Sequence, residues 1–290
     1  MRPETADTER RDMKQRIITA LIGLALFAVC LMFFETIVFN FVIAAVAVIG
    51  TMEILSAAKI TKFVPICVLC AVLVGITPFL STPFFLEYRM AVYLLFVFLA
   101  FLLMLGNHNE LRFADLAFAL FSSFLLGLVF SVFIYVRDMQ TDRAIRFFYI
   151  ILIFGGAWLA DSAAYFAGRF FGKHKLAPQI SPKKTIEGAI GGVLGCIVGF
   201  VLLGVAFDAI MAANNSPIRV NYVFLVILSI VLSIVGMLGD LTFSVVKRQY
   251  GIKDYGNILP GHGGVLDRFD SVVFTAPALY IIIQFIDIVG

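Results

Sequence analysis

Apolar runs long enough to cross a bilayer recur along almost the whole chain, and they leave few folds open. A hydrocarbon core takes about 20 predominantly apolar residues in helical form. Runs of that kind fall at roughly 17–34, 37–56, 63–80, 89–106, 115–136, 148–168, 188–210, 220–239 and 271–290. In lipid every backbone N–H and C=O must be paired inside the spanning element, which makes such runs helices. The expectation is an all-α, polytopic integral membrane protein with about nine transmembrane helices. Composition agrees: 61% of the 290 residues are hydrophobic and 14% charged, more apolar surface than a soluble core needs. The chain divides into a polar N-terminal segment (1–16), a first set of membrane helices (17–148) and a second region (149–290) that carries most of the chemistry-bearing residues.

Loop charges give the orientation. The opening MRPETADTERRDMKQR is polar and mixed in charge, and no small-x-small cleavage site follows the run after it, so that run reads as a first span rather than a removed signal. With the N-terminus in the cytoplasm, 17 of the 22 Lys and Arg fall on the cytoplasmic side, as the positive-inside rule requires. This places 240–270 on the cytoplasmic face of the plasma (inner) membrane.

The first half offers little chemistry. Cys67-x-x-Cys70 has metal or redox spacing but no second ligand pair, and both thiols lie in an apolar run, where Cys behaves as a small hydrophobe. Glu53 stands near the cytoplasmic end of the second run. An acid at membrane depth is a functional hypothesis by default, with snorkelling or a structural ion pair as the alternative.

Chemistry concentrates between Gly239 and Ser271, GDLTFSVVKRQYGIKDYGNILPGHGGVLDRFDS. If the preceding helix runs past Gly239, then Asp240, Ser244 and Lys247 recur at i, i+4 and i+7 on one face. Asp267 and Asp270 sit three apart where the next helix should begin, so that two acidic clusters at helix ends can share a metal. Carboxylates so held suit Mg²⁺, which takes one or two of them and fills its other positions with water and phosphate oxygens. The nearby Lys247, Arg248, Lys253 and Arg268 suit phosphates. Taken singly, an Asp at a helix start is ordinarily a cap and a juxtamembrane Lys an anchor. The His262-Gly263-Gly264 turn between them is required by neither.

A second polar stretch, Trp158–Gly192, faces the same compartment. Asp161, Tyr165 and Arg169 descend an apolar run one helical turn apart, with substrate, metal or a neighbouring helix as partners. The loop after them holds Lys173-His174-Lys175 and then Ser181-Pro182-Lys183-Lys184-Thr185. Ser181-Pro182 reads as N-cap and first helical residue, which with two lysines makes an anion site. Gly188, Gly191, Gly192 and Gly195 have the spacing of close helix packing.

Ser244 through Asp270 resembles the signature of the phosphatidate cytidylyltransferase (CDP-diacylglycerol synthase) family: Ser244, Lys247-Arg248, Lys253-Asp254, Gly256, Leu259-Pro260, His262-Gly263-Gly264, Asp267-Arg268 and Asp270. The stretch from Asp161-Ser162 through Tyr165, Gly168-Arg169, Gly172 to Pro178, Ser181-Pro182, Lys184-Thr185 and Glu187-Gly188 is similar to the same family. The resemblance covers 157–271 and is weak before that. It implies transfer of CMP from CTP to phosphatidic acid, giving CDP-diacylglycerol and pyrophosphate, with Mg²⁺ as cofactor and a second cation admitted alongside. It implies Asp240 and Asp267 as the metal carboxylates, with Asp161 and Asp270 behind them. Lys247, Arg248, Lys253 and Arg268 would neutralise phosphates, Gly263-Gly264 would admit them to the backbone, and His262 would shape the loop or donate to a phosphate. Ser181, Lys183, Lys184 and Thr185 would serve the triphosphate, with Ser244, Asp161, Tyr165 and Arg169 also in the substrate site. A homodimer is expected and no nucleic-acid partner. The rivals are a CTP-dependent polyprenol or lipid kinase, a transporter and a scaffold.

Overall fold

The computed structural model describes residues 18–290 apart from positions 20, 81, 140 and 262. Each apolar run holds a helix. Among the described residues, six helical stretches are long and apolar enough to cross a bilayer: α2 (Ile37–Ala57), α4 (Arg89–Gly106), α5 (Phe113–Arg137), the continuous Arg143–Phe171, α8 (Ile186–Ala213) and α9 (Tyr222–Gln249). The remaining three runs hold shorter helices, α1 (Leu21–Met32), α3 (Val64–Leu80) and α11 (Val272–Ile283), the last preceded by the single-turn α10 (Leu266–Phe269). Among the described residues, six stretches rather than nine have full spanning length. At 1.5 Å per residue the 12 residues of α11 cover about 18 Å. Beyond it the chain turns back on itself, with Arg219 N–H donating to Gly290 O (2.9 Å) and Asn221 N–H to Ile288 O (2.9 Å).

Helices α4 and α8 are apolar along almost their whole length and expose that surface. Leu94 and Leu105 on α4 and Leu202 on α8 are each 64% exposed. Faces of this extent have no place in water and match lipid tails. The chain is an integral membrane protein.

Two compact units make up the chain. The first runs to Ile134 and takes up Tyr250–Arg268; the second comprises Tyr135–Gln249 and Phe269–Gly290. In the first, α2 packs on α3 and α3 on α4, around a core that includes Leu55, Ile60, Cys70, Phe96 and Leu116. Cys67 and Cys70 belong to it, their Sγ atoms 3.6 Å from Ile60 O and 3.9 Å from Ala119 O. They pack as hydrophobes.

In the second unit α6 (Arg143–Phe154), capped by the Asp142 carboxylate accepting from Ala144 N–H at 2.7 Å, runs through a π turn at Gly155–Leu159 into α7 (Ala160–Phe171). α7 packs along α8, α8 on α9, and α9 on α11. A Cβ at Gly191 or Gly195 would lie 2.1 or 2.3 Å from the Cβ atoms of Ala167 and Ala163. Only glycine lets these backbones approach so closely, the packing its spacing predicts.

The segment 173–187 departs from its predicted form. Ser181 and Pro182 do not start a helix. Lys175–Ala177 (β1) and Ser181–Thr185 (β2) pair antiparallel as a small hairpin, the one sheet among the described residues. Helix α8 begins four residues later than expected at Ile186, where the buried Thr185 hydroxyl accepts from Gly188 N–H at 3.1 Å. A well-placed cap outweighs the proline signal.

Candidate active site

The second unit gathers most of the sequence-predicted charges around the C-terminal half of α9. That helix runs on to Gln249, so Asp240, Ser244 and Lys247 do share a face. Ser244 Oγ donates to Asp240 Oδ1 at 3.4 Å. Lys184 reaches Asp240 Oδ2 from β2, with Nζ 2.5 Å away. Successive strand residues point to opposite faces, which explains why Lys184 is turned inward while Lys183 is exposed. The Lys184 ammonium is sealed from water and meets no well-aimed hydrogen-bond acceptor, so its tie to Asp240 is ionic.

Close packing of the α9 backbone brings Asp270 to this face. A Cβ at Gly239 would stand 2.8 Å from Asp270 O. Asp270 Oδ1 accepts from Ser271 N–H at 2.9 Å, and Oδ2 lies 3.6 Å from Lys247 Nζ. Asp161 Oδ2 accepts from Ser271 Oγ at 2.8 Å, so its partner is a neighbouring segment of the fold. Burial pushes the Asp270 carboxyl up to about 7, with the Asp240 charge the next cause, against the pull of Lys247. Three carboxylates thus stand near two lysines in a poorly solvated site. Arg248 Nε donates to Ile180 O in the hairpin turn at 3.3 Å, tying the end of α9 to β1–β2.

In the first unit the signature loop 250–268 closes around Asp267. Its Oδ2 accepts from Tyr255 N–H at 2.8 Å and Gly264 N–H at 2.9 Å. Gly263, at φ +80°, sits where a Cβ would be 3.0 Å from that same oxygen. Lys253, Asp254, Asn257, Gly263 and Arg268 line a polar cavity of about 380 Å³.

Other predicted site residues have different partners. Tyr165 and Arg169 are exposed and touch each other, with Arg169 Nη1 3.4 Å from the Tyr165 hydroxyl. Ser181 opens β2 and Thr185 is the α8 cap. His262 lies outside the described residues.

The profile of the Cytidylyltransferase family matches residues 14–286. The chain belongs to the cytidylyltransferase family. It is 34% identical over 277 residues to the phosphatidate cytidylyltransferase of Bacillus subtilis, covering 94% of this chain and 98% of that protein. To its Staphylococcus epidermidis counterpart it is 37% identical over 276 residues, 93% of this chain and 99% of that one. The Staphylococcus aureus protein of the same name is 34% identical over 276 residues.

Two features of this cytidylyltransferase site are not legible in its motifs. Ser271, whose hydroxyl and N–H serve Asp161 and Asp270, looks like an ordinary helix-start serine. Glu53 stands 212 residues before Val265, yet its Oε1 accepts from Val265 N–H at 2.9 Å and its Oε2 from Leu266 N–H at 2.7 Å. Its depth in an apolar run was the only signal, and nothing in the sequence named its partner.

Proposed function

We propose that this cytidylyltransferase is a phosphatidate cytidylyltransferase, which transfers CMP from CTP to phosphatidic acid and releases pyrophosphate. The observation that carries the reading is similarity over nine-tenths of the chain to proteins of that name, joined to the cluster in the second unit where Lys184 and Lys247 stand beside Asp240 and Asp270. A phosphate oxygen of phosphatidate forms a bond to the α-phosphorus of CTP, while the bond from that phosphorus to the bridging oxygen of pyrophosphate breaks. Both reactants are anions, so charge neutralisation and positioning dominate the barrier. The phosphatidate phosphate is already ionised at neutral pH and needs no strong general base.

Lys184 and Lys247 are the neutralising cations of the second unit, each held beside a carboxylate that orients it. Lys253 and Arg268, on the cavity of the signature loop, are proposed to take phosphate oxygens there. No group of three or more His, Cys, Asp or Glu side chains forms a metal centre among the described residues. Mg²⁺ does not need one, since one or two carboxylates suffice when phosphates and water complete its shell. The raised Asp270 carboxyl beside Asp240 marks surplus negative charge of hard oxygen donors, which fits such a cation. Asp240 and Asp270, with Asp161 beside them, would hold it; Asp267 is kept as a ligand, with a second cation, on family resemblance. Bound there, Mg²⁺ would offset the charge of the phosphates.

The cytoplasmic orientation of the site rests on 17 of 22 Lys and Arg falling on that side. The three short helices are proposed to complete nine crossings, and the working form is proposed to be a homodimer, on the resemblance. CTP labelled at the α- or the γ-phosphorus tests the reaction. Purified protein with phosphatidate should carry only α-label into the lipid; γ-label in the lipid would make it a kinase.

A further inference from the structure

We propose that Glu53 is a positioning residue, an intramembrane clamp that sets the conformation of the signature loop and hence the placement of Asp267. The inference rests on the functional reading above. Glu53 is 6% exposed and sits on α2, one turn from its end. A buried carboxylate at membrane depth is costly unless its oxygens are matched by donors. Both are matched here, and both donors are backbone N–H groups of one loop, those of Val265 and Leu266.

The loop is shaped to receive it. A Cβ at Gly264 would stand 2.5 and 2.6 Å from the two Glu53 carboxylate oxygens, and a Cβ at Gly256 would stand 2.5 Å from Oε1. Two signature glycines therefore make room for this side chain, and the alternative of snorkelling toward the surface is not what it does. The same turn donates Gly264 N–H to Asp267 Oδ2. Three consecutive amides, 264 to 266, thus end on two carboxylates, one from α2 and one from the loop itself. Releasing Glu53 frees two of them and with them the restraint on the residue that follows, Asp267.

Glu53→Gln keeps the size and can accept only one of the two hydrogen bonds. The expected result is a fall in kcat of about 10- to 100-fold, the scale for a small misplacement of reacting groups, with the KM for phosphatidate within about twofold of wild type. Amide hydrogen exchange should speed up in 255–268 and stay unchanged in α8, which global loosening would not give. Wild-type kcat together with wild-type loop exchange would overturn the inference. Exchange is read without turnover, so it stands apart from any failure of the reaction assignment. Should Glu53→Gln loosen the whole protein, Gly264→Ala offers an independent route. Its methyl displaces the carboxylate while leaving Glu53 in place, and it should reproduce the kcat loss. In the Glu53→Ala background the same methyl should cost no more than about twofold further. Losses that simply multiply would contradict the clamp.

Discussion

Lys184 Nζ stands 2.5 Å from Asp240 Oδ2, joining a hairpin strand to a membrane helix through a pair in which each side chain is about a quarter exposed. The cation therefore has two competing roles, as counter-charge to Asp240 and as a ligand for substrate phosphate. Lys184→Ala is expected to weaken apparent CTP affinity by about 1–3 kcal/mol, the scale for losing a hydrogen bond to a charged group. The same change leaves Asp240 more available to a cation, so the Mg²⁺ concentration for half-maximal rate should fall. Steady-state kinetics in mixed micelles read both; shifts in the same direction would remove Asp240 from the cation site.

Asp267→Asn keeps the shape of a side chain that accepts from Tyr255 and Gly264 N–H but removes its charge. Turnover should drop by at least about 100-fold, as for loss of one key electrostatic group, while the protein still inserts and stays monodisperse. Glu110→Gln, at an exposed loop position, is the control. Near-normal Mg²⁺-dependent turnover in Asp267→Asn would exclude it as a ligand.

Asp270 gives a pH signature. A carboxyl raised to about 7 in the folded protein, against an unfolded value of about 3.9, binds protons on folding. Its stabilising contribution is full below the unfolded value and is lost as pH rises through 7. Asp270→Asn cannot ionise, so without divalent cations its Tm should gain on that of wild type between pH 5 and pH 8. A difference that is flat across that range would contradict the buried, Asp240-facing placement.

The orientation can be read with one cysteine. Asn257→Cys in a cysteine-free background should resist an impermeant thiol reagent added to intact cells and react after the membrane is opened. Labelling from outside would invert the topology and separate the signature loop from the compartment that holds CTP.

What the sequence made legible follows the reach of its signals. Membrane helices declare themselves by local hydropathy, and i, i+4, i+7 spacing puts Asp240, Ser244 and Lys247 on one face. Lys183 and Lys184 were legible as phosphate-seeking charges but not as opposite faces of a strand, because Ser-Pro signals a helix start and hides a hairpin. Pairings across long stretches of chain, Glu53 with Val265 and Asp161 with Ser271, leave no local trace at all. The glycines illustrate the same limit. Gly264 has the look of a phosphate-approach residue, while in the fold its missing side chain is where the Glu53 carboxylate sits.

The most direct test of the whole account is product stoichiometry. Purified protein in detergent micelles is given CTP, phosphatidic acid and Mg²⁺, and the lipid and aqueous products are quantified together. The account predicts CDP-diacylglycerol and pyrophosphate in equal amounts, with neither formed when phosphatidate is left out and both lost in Asp240→Asn. Release of CDP in place of pyrophosphate, or CTP turnover that ignores phosphatidate, would contradict it.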